Sequence, residues 1–600
     1  MNEHFSGEKV NPTASKKKTI ILKPKHEPDE QKEEKMNIDI SIKIGGEAGQ
    51  GIQTVGDLLA GVCQKAGLYV MGINDFESRI RGGQSFFQIR ICSSPVSAPV
   101  NKVHLLVALS NQLSEKQKED IVDGGLIIMD SKEAPADNVV PVSIRDLAVQ
   151  SGGKVMANTV AAGAILGLLG APFAILQDLL TQRFMRKSQE IVDNNITAAK
   201  LGFEAVQETH FKWAFDWGTG DPKGTLINGS QAIAMGALAG DCRFAAFYPM
   251  SPATSVMRNL NTYVGKVPLV VEQVEDEIAA VNMVIGASFA GVRAMTSTSG
   301  GGFALMVEGL GLAAITETPL VIVNAQRPGP ATGLPTRTAQ ADLLFVIRAS
   351  QDDFPRFVFA PSSPREAFEV TARAFNLADK YQVPVIILTD QYLNDSLFVE
   401  EKPFKAPDQV EQFIVTDSSM ANPGEYKRFS LTESGISPRA LPCNGDALVM
   451  ATGNEHTEDG HISEDPINRV QMVDKRNAKI PAMIAELNSP ESYHEESDIL
   501  LVGWGSTKGA IKEAVDILRT DGKNIGCICY TDIWPFPVDE AVTLLKKAKQ
   551  FIMVEQNSGA QFGQLIREQT GLRYSSSILK YDGRPFYPSE IVDQINQIKE

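Results

Sequence analysis

The chain has 600 residues, of which 43% are hydrophobic and 22% charged, and its formal net charge is -16. That length exceeds what one hydrophobic core supports, so about three or four globular domains are expected. The acidic balance, with no basic stripe interleaved with aromatic residues, argues against nucleic acid as a partner. The sequence holds no apolar run of membrane-spanning length and no signal-peptide core, which predicts a cytoplasmic protein with no membrane partner.

Composition and hydrophobic pattern divide the chain into six segments. The first is a charged tail, in which no stretch is apolar enough to build a core. Three predicted α/β domains follow, in which strands alternate with single helices and therefore form parallel, doubly wound sheets. The predicted segments are a disordered tail at 1–36, a first domain at 37–210, a linker at 211–224, a second domain at 225–395, a connector at 396–496 and a third domain at 497–600.

The first domain opens with a glycine-rich turn between a strand and a helix. Strand Ile38–Ile44 runs into Gly45–Gly51 and then into helix Ile52–Ala66, an arrangement that suits an anion at a helix N-terminus. The order of the glycines is not that of the dinucleotide fingerprint, and no acidic residue ends a clear second strand about twenty residues further on. The sequence therefore argues against a nicotinamide dehydrogenase.

The second domain shows the clearest alternation of strands and helices. Ser251 is predicted to cap its first strand-following helix, with Pro252 at the first helical position. The predicted strands are Phe244–Met250, Pro268–Val274, Val292–Ser299 and Pro319–Gln326, and the helices between them are Pro252–Val264, Glu275–Ala290 and Phe303–Glu317.

One edge of this second sheet should collect several polar groups, because parallel strands all end at the same edge, where ligands bind. The groups are Ser251, the acidic pair Glu275/Glu277, Ser299-Gly300 and the segment that begins at Arg327. Each of them alone is typical of a cap or a turn, and an acid in the first turn of a helix is favoured by the helix dipole. Four such groups in succession at one edge nevertheless predict a binding site.

The spacing of cysteines and histidines argues against the common metal-binding motifs. Six cysteines are scattered through the chain, and only Cys527 and Cys529 lie close together. The sequence has no CxxC run and no HExxH run, so neither an iron–sulfur cluster nor a structural zinc ion is expected. The sequence therefore predicts no metal site in this chain by itself.

Seven motifs, taken in order, resemble those of a known enzyme family. They are RxRGG at Arg79–Gly83, YPMSPATS at Tyr248–Ser255, EDEIAA at Glu275–Ala280, TSTSGGG at Thr296–Gly302, GPATGLPTRTAQADL at Gly329–Leu343, VGWGST at Val502–Thr507 and VEQNSGAQ at Val554–Gln561. Together they resemble a 2-oxoacid:acceptor (ferredoxin) oxidoreductase, and most closely the alpha subunit of the 2-oxoglutarate type, over about residues 38–595. The resemblance implies a gamma-type domain fused ahead of a pyrimidine-type, thiamine-diphosphate-binding domain and a transketolase C-terminal-like domain.

The resemblance also implies a thiamine-diphosphate enzyme with coenzyme A as co-substrate. Glu277, with Glu275 as the reserve candidate, is the carboxylate expected to hold the ring nitrogen of the aminopyrimidine, so that the exocyclic amine can act as a base. The other residues expected to bind the cofactor are Tyr248, Pro249, Ser299 and Gly300.

Two further groups are expected at the substrate. Ser251 corresponds to the threonine of the family's YPxTP motif, a departure that keeps the hydroxyl, and Thr254 beside it is a weaker candidate. Arg337, followed by Thr338, corresponds to the family's arginine that pairs with the substrate carboxylate, for which a planar guanidinium is well suited.

What the chain lacks implies a partner. Thiamine enzymes hold their Mg²⁺ and diphosphate with a GDG motif and a later asparagine, and no GDG occurs here. In the family that site and the iron–sulfur cluster belong to a beta subunit, which implies a chain that is inactive alone and a dimer of alpha–beta heterodimers. The implied reaction converts 2-oxoglutarate to succinyl-CoA and carbon dioxide and passes electrons to ferredoxin. The alternatives are a pyruvate or branched-chain 2-oxoacid enzyme and a non-catalytic assembly subunit.

Overall fold

The computed structural model of the chain describes residues 38–47, 51–76, 84–109, 120–207, 209, 211, 217, 220–407, 410–415, 426–443 and 447–598. The predicted tail, the RxRGG motif and part of the first glycine turn lie outside these residues. Within the described ranges, no helix is both long and apolar enough to cross a membrane.

The N-terminal part of the chain forms strands and then a helical region. Helix α1 begins at Ile52, as predicted, and ends at Lys65. The strands are β1 (Asp39–Glu47), β2 (Tyr69–Phe76), β3 (Gln84–Cys92), β4 (Val103–Ala108), β5 (Ile121–Asp130) and β6 (Val139–Val142). The helices are α1 (Ile52–Lys65), α2 (Ile144–Gln150), α3 (Ala157–Leu168), α4 (Phe173–Phe184) and α5 (Gln189–Gln207).

The middle part alternates strands and helices as the hydrophobic pattern predicts. The strands are β7 (Thr225–Asn228), β8 (Phe244–Phe247), β9 (Val270–Gln273), β10 (Ala294–Thr298), β11 (Leu320–Gln326), β12 (Phe357–Phe359), β13 (Pro384–Asp390) and β14 (Leu397–Glu400). The helices are α6 (Gly229–Ala239), α7 (Thr254–Asn261), α8 (Glu277–Phe289), α9 (Gly300–Ile315), α10 (Leu343–Ile347), α11 (Pro364–Tyr381) and α12 (Gln391–Asp395).

The predicted helix cap at Ser251 is wrong. Helix α7 begins at Thr254 after Ala253, and the peptide bond between Ser251 and Pro252 is cis. The amide of Thr254 donates to the carbonyl of Met250 at 3.1 Å, which closes a turn ahead of the helix. The three residues before Thr254 therefore form a separate turn instead of the first helical turn.

The C-terminal part contains the predicted third domain and the segment before it. The continuous apolar run Ile525–Tyr530 predicts a strand, and strand β17 has those bounds, with all six residues buried. The strands are β15 (Glu491–Tyr493), β16 (Ile499–Trp504), β17 (Ile525–Tyr530), β18 (Asp532–Trp534), β19 (Gln550–Glu555) and β20 (Ser576–Leu579). The helices are α13 (Pro466–Asn477), α14 (Ile480–Ala485), α15 (Lys508–Thr520), α16 (Val538–Leu545), α17 (Gln561–Thr570) and α18 (Pro588–Gln597).

Three sheets organise the described chain, and the predicted α/β class with parallel-rich sheets is confirmed. The orders are β6-β5-β4-β1-β3-β2-β14-β7, β18-β12-β13-β11-β10-β8-β9 and β15-β17-β16-β19-β20. The second sheet is parallel except for β18, and the third except for β15. The first sheet has an antiparallel half, in which β3, β2, β14 and β7 follow the parallel strands β1, β4, β5 and β6.

The sheets cross the predicted domain boundaries. Strand β7, at the start of the predicted second domain, pairs with β14, which lies in the predicted connector, and β14 also pairs with β2 of the first domain. Strand β18 from the C-terminal part likewise pairs with β12 of the second sheet. Phe303, Trp504 and Phe562 lie in one hydrophobic core shared by the second and third parts.

A buried charge cluster joins both halves of the predicted connector to the end of α9. Glu317 is 1% exposed and accepts hydrogen bonds from Lys479, at 2.6 Å, and from Lys475. Arg428 donates to the backbone carbonyl of Glu317 at 2.7 Å. Burial alone would raise the pKa of Glu317, but Lys479 and Lys475 outweigh it and hold that pKa below its usual range. Removing any one of these buried charges would therefore leave the others incompletely paired and destabilise the fold.

Candidate active site

The carboxyl ends of four neighbouring parallel strands meet at one edge of the second sheet. The strands are β9, β8, β10 and β11, which are adjacent in that order. The structure brings the predicted groups to this edge, where they lie on the turn after β8, the first residue of α8, the first turn of α9 and the loop after β11. The groups are Ser251, Glu277, Ser299-Gly300 and Arg327.

Glu277 is buried at the start of helix α8. Asp276 caps the helix by accepting a hydrogen bond from the amide of Ala279 at 2.7 Å, which leaves Glu277 to point into the protein at 2% exposure. Oε1 of Glu277 accepts no hydrogen bond from any described residue. Burial raises the pKa of Glu277, the neighbouring Asp276 adds to the increase and Arg327 opposes it. A buried carboxyl of this kind is stable only when protonated or when it meets a donor from elsewhere.

Two glycines in the first turn of α9 make room for carboxyl groups. A Cβ atom on Gly302 would lie 2.5 Å from Oε1 of Glu277 and 2.1 Å from Oγ1 of Thr298. A Cβ atom on Gly300 would lie 2.6 Å from Oδ2 of Asp342. Both carboxyl groups thus lie against the amino end of a 16-residue helix, where the helix dipole favours negative charge.

Asp342 is a site residue that sequence reasoning missed. Its Oδ2 accepts a hydrogen bond from Asn324 at 3.1 Å, and burial raises its pKa to about 6 against the opposing effects of Asn324 and Arg327. Arg327 in turn donates to the carbonyl of Ser251 at 2.6 Å. The one signal for Asp342 in the sequence was its place near the end of the GPATGLPTRTAQADL motif.

Buried polar atoms without partners are concentrated at this edge. Among the described residues, six such atoms lie on the ends of β10 and β11 and on the adjoining segments. They are Oγ1 of Thr296, Oγ of Ser297, Oγ of Ser299, Oδ1 of Asn324, Oε1 of Glu277 and Nε of Arg327. Native proteins leave few such atoms, so the cluster fits a polar ligand that offers both donors and acceptors, as an aminopyrimidine does.

The segment after β8 lies beside this cluster. Oγ1 of Thr298 approaches Sδ of Met250 at 3.9 Å, and Tyr248 is 39% exposed. Pro249 and Ser251 are half-buried, and Thr254 is the first residue of α7. The side chains predicted for the cofactor and the substrate hydroxyl thus line the same edge as Glu277.

Arg337 and Thr338 make their contacts with residues outside the polar cluster around Glu277. Arg337 is 9% exposed and forms an ion pair with Asp75 at the end of β2. The amide of Thr338 donates to the carbonyl of Gly583 at 3.3 Å, and its hydroxyl accepts from the amide of Tyr392 at 3.4 Å. These two residues therefore lie where the N-terminal, middle and C-terminal parts of the chain meet.

Three family models match the chain. A pyruvate ferredoxin/flavodoxin oxidoreductase model matches residues 41–205, and the thiamine-diphosphate-binding model of pyruvate flavodoxin/ferredoxin oxidoreductases matches residues 235–475. The model of pyruvate:ferredoxin oxidoreductase core domain II matches residues 497–591.

Full-length relatives agree with these matches. The alpha subunit of 2-oxoacid:ferredoxin oxidoreductase from Sulfolobus sp is 31% identical over an alignment that covers 93% of this chain and 97% of the relative. The 2-oxoglutarate synthase subunit KorA of Methanothermobacter marburgensis is 35% identical over 377 residues, which are 62% of this chain and 99% of KorA.

A solved structure shares the whole architecture. The 2-oxoglutarate:ferredoxin oxidoreductase from Magnetococcus marinus, with 2-oxoglutarate, coenzyme A and succinyl-CoA bound, has a TM-score of 0.86 and 31% identity and covers 93% of this chain and 99% of its own. The resemblance inferred from the motifs is thereby confirmed. The chain belongs to the alpha subunits of the 2-oxoacid:ferredoxin oxidoreductases, enzymes that oxidise 2-oxo acids.

Proposed function

We propose that the chain is the cytoplasmic alpha subunit of a 2-oxoglutarate:ferredoxin oxidoreductase that produces succinyl-CoA and carbon dioxide. The observation that carries the proposal is the buried carboxyl of Glu277, whose Oε1 has no partner among the described residues, at the edge of a thiamine-diphosphate-binding domain. The choice of 2-oxoglutarate is supported by the names of KorA and of the Magnetococcus marinus enzyme. Pyruvate is the second candidate, because the matched family models carry its name.

Glu277 would hold the ring nitrogen of the aminopyrimidine. When bound, thiamine diphosphate supplies the nucleophilic carbon and the electron sink for decarboxylation of a 2-oxo acid. Burial raises the pKa of Glu277, which favours the protonated carboxyl that can donate to that ring nitrogen. Ser299 and Gly300 would border the ring, and Tyr248 and Pro249 would close its open side.

The substrate would be bound by two pairs of residues. The hydroxyls of Ser251 and Thr254 would contact the 2-oxo acid near its reacting carbon, and Arg337 with Thr338 would hold its carboxylate. Arg327 fixes the backbone at Ser251 through its hydrogen bond to the carbonyl, which keeps the hydroxyl of Ser251 at the edge.

The proposed partner is a beta subunit that carries the Mg²⁺ and diphosphate site and the iron–sulfur cluster, in a dimer of alpha–beta heterodimers that reduces ferredoxin. Helices α8 and α9, which carry Glu277 and Gly300, expose large apolar side chains next to the site. Ile278 and Leu305 are each 50% exposed and Met283 is 41% exposed. Apolar surface that adjoins an incomplete polar site is typical of a protein interface.

Capture of the tagged chain from its native host, followed by a viologen-reduction assay with coenzyme A, tests the function. We expect a brown complex with a second subunit that reduces viologen faster with 2-oxoglutarate than with pyruvate. The chain purified alone should show no iron–sulfur absorbance. Faster reduction with pyruvate would move the assignment to the second candidate. A colourless chain with no partner and no turnover would contradict the proposal and favour an assembly subunit.

Replacing Gly302 with alanine should lower the turnover of the reconstituted complex by roughly 10²-fold, because a displaced catalytic group has that scale of effect. The added Cβ would overlap Glu277 and Thr298 and force the carboxyl away. Gly301→Ala is the matched control, since the nearest atom to its Cβ would be the carbonyl oxygen of Ala331 at 3.8 Å. Equal turnover of the two variants would show that the position of Glu277 is unimportant.

A further inference from the structure

Arg337, the residue proposed to bind the substrate carboxylate, already has a carboxylate partner in the chain. Its Nη1 donates to Oδ1 of Asp75, and its side chain is 11% exposed. Asp75 belongs to β2 in the first sheet, whereas Arg337 lies in the loop after β11 of the second. The substrate and Asp75 would therefore compete for one guanidinium group.

A second arginine holds Asp75 from the other side. Nε of Arg584, which precedes α18, lies 3.4 Å from Oδ2 of Asp75. The carboxylate of Asp75 thus lies between two guanidinium groups, one from the middle and one from the C-terminal part of the chain. Asp75 can lose Arg337 and keep Arg584, so its release from Arg337 does not leave its charge unpaired.

Arg337 cannot be released in the same way. Its guanidinium is nearly buried, Asp75 is its one ion-pair partner among the described residues, and a buried charge that loses such a partner is strongly destabilised. An anionic ligand can replace Asp75 at Arg337, whereas a neutral ligand or water offers no equivalent charge. The exchange itself would therefore discriminate between 2-oxo acids and uncharged carbonyl compounds.

We infer that Asp75 is a specificity-determining residue. Its carboxylate holds Arg337 before substrate binds. The carboxylate of the 2-oxo acid then replaces Asp75 at Arg337, while Arg584 retains Asp75. The inference rests on the proposed function, because it takes Arg337 as the substrate-binding residue. Asp75 does not touch the reacting atoms and acts only through Arg337.

The test uses the complete complex with its beta subunit and measures KM for the 2-oxo acid, KM for coenzyme A and kcat. Asp75→Asn removes the competing charge, so KM for the 2-oxo acid should fall about fivefold; the effect is modest because the Asp75 side chain is 33% exposed and solvent screens its charge. KM for coenzyme A and kcat should stay the same. Asp75→Glu keeps the charge and should restore the original KM.

Arg584→Gln supplies a second, independent variant in case Asp75→Asn fails to fold. Without Arg584, Asp75 has Arg337 as its remaining partner in this group, so KM for the 2-oxo acid should rise. A rise in KM with Asp75→Asn, or a fall with Arg584→Gln, would overturn the inference and show that Asp75 orients Arg337 for the substrate. Unchanged KM values in both variants would overturn it as well.

Arg337→Ala separates this inference from the proposed function. Loss of a charged hydrogen-bond partner should raise KM for the 2-oxo acid by roughly 10- to 100-fold and leave KM for coenzyme A unchanged. Equal effects on both constants would remove Arg337 from the substrate site and with it the basis of the exchange. A selective rise with Arg337→Ala, combined with no fall with Asp75→Asn, would overturn the exchange alone and leave the substrate role intact.

Discussion

Replacing Glu277 with glutamine is expected to abolish decarboxylation by the reconstituted complex and to leave its assembly intact. Glutamine has nearly the same shape as the buried carboxyl but cannot supply a proton to a ring nitrogen, so turnover should fall by roughly 10²- to 10⁴-fold. The site tolerates the change sterically, because Gly302 already provides the space beside Oε1. Viologen reduction by the complex measures turnover, and co-purification of the beta subunit measures assembly.

Glu275 provides the matched control for this experiment. It precedes Asp276 by one residue, is exposed and was the reserve candidate for the same role. Glu275→Gln should keep most of the activity, because its side chain lies outside the buried cluster. If Glu275→Gln were inactive and Glu277→Gln active, the two assignments would have to be exchanged.

Of the substitutions proposed, Glu317→Gln is expected to cause the largest loss of folding stability. The change leaves the ammonium groups of Lys475 and Lys479 buried without their shared carboxylate, which should lower the free energy of unfolding by about 3–5 kcal/mol. The backbone at Glu317 has a φ of 47°, which glutamine adopts at the same cost, so the effect reports the lost charge. The melting temperature and the hydrogen exchange of helix α13, which carries Lys475, would measure it.

An exposed ion pair provides the comparison for Glu317. Arg348 and Glu568 are each 51% exposed in their side chains, so Glu568→Gln should change the free energy of unfolding by less than about 1 kcal/mol. Unchanged melting of the Glu317→Gln chain would mean that the buried cluster contributes no more than this surface pair.

The sequence predicts elements well where local pattern decides them. Strand β17 and the start of helix α1 are predicted to the residue, because a buried apolar run and a glycine turn are local features. The cap at Ser251 was mispredicted, since the turn there is closed by Met250 and held by Arg327, which is distant in sequence. The local sequence pattern contains no signal for a contact between residues so far apart along the chain.

The sequence predicts part of the candidate site, because parallel strands all end at the same edge of a sheet. That rule brings Ser251, Glu277 and Gly300 together, but it does not distinguish Glu277 from any acid in a first helical turn, and the resemblance supplied that distinction. The burial of Asp342 depends on Asn324 and Gly300, and the pairing of Arg337 depends on Asp75. Both require a tertiary fold that spacing along the chain does not contain.

The pairing of β14 with β2 would have a consequence if the same sequence were divided between two polypeptides. A break between Trp217 and Thr225 would leave β2 as an open edge on one polypeptide, while β14 and β7 stayed on the other. The two polypeptides would then have to join by adding a strand pair of one to the sheet of the other.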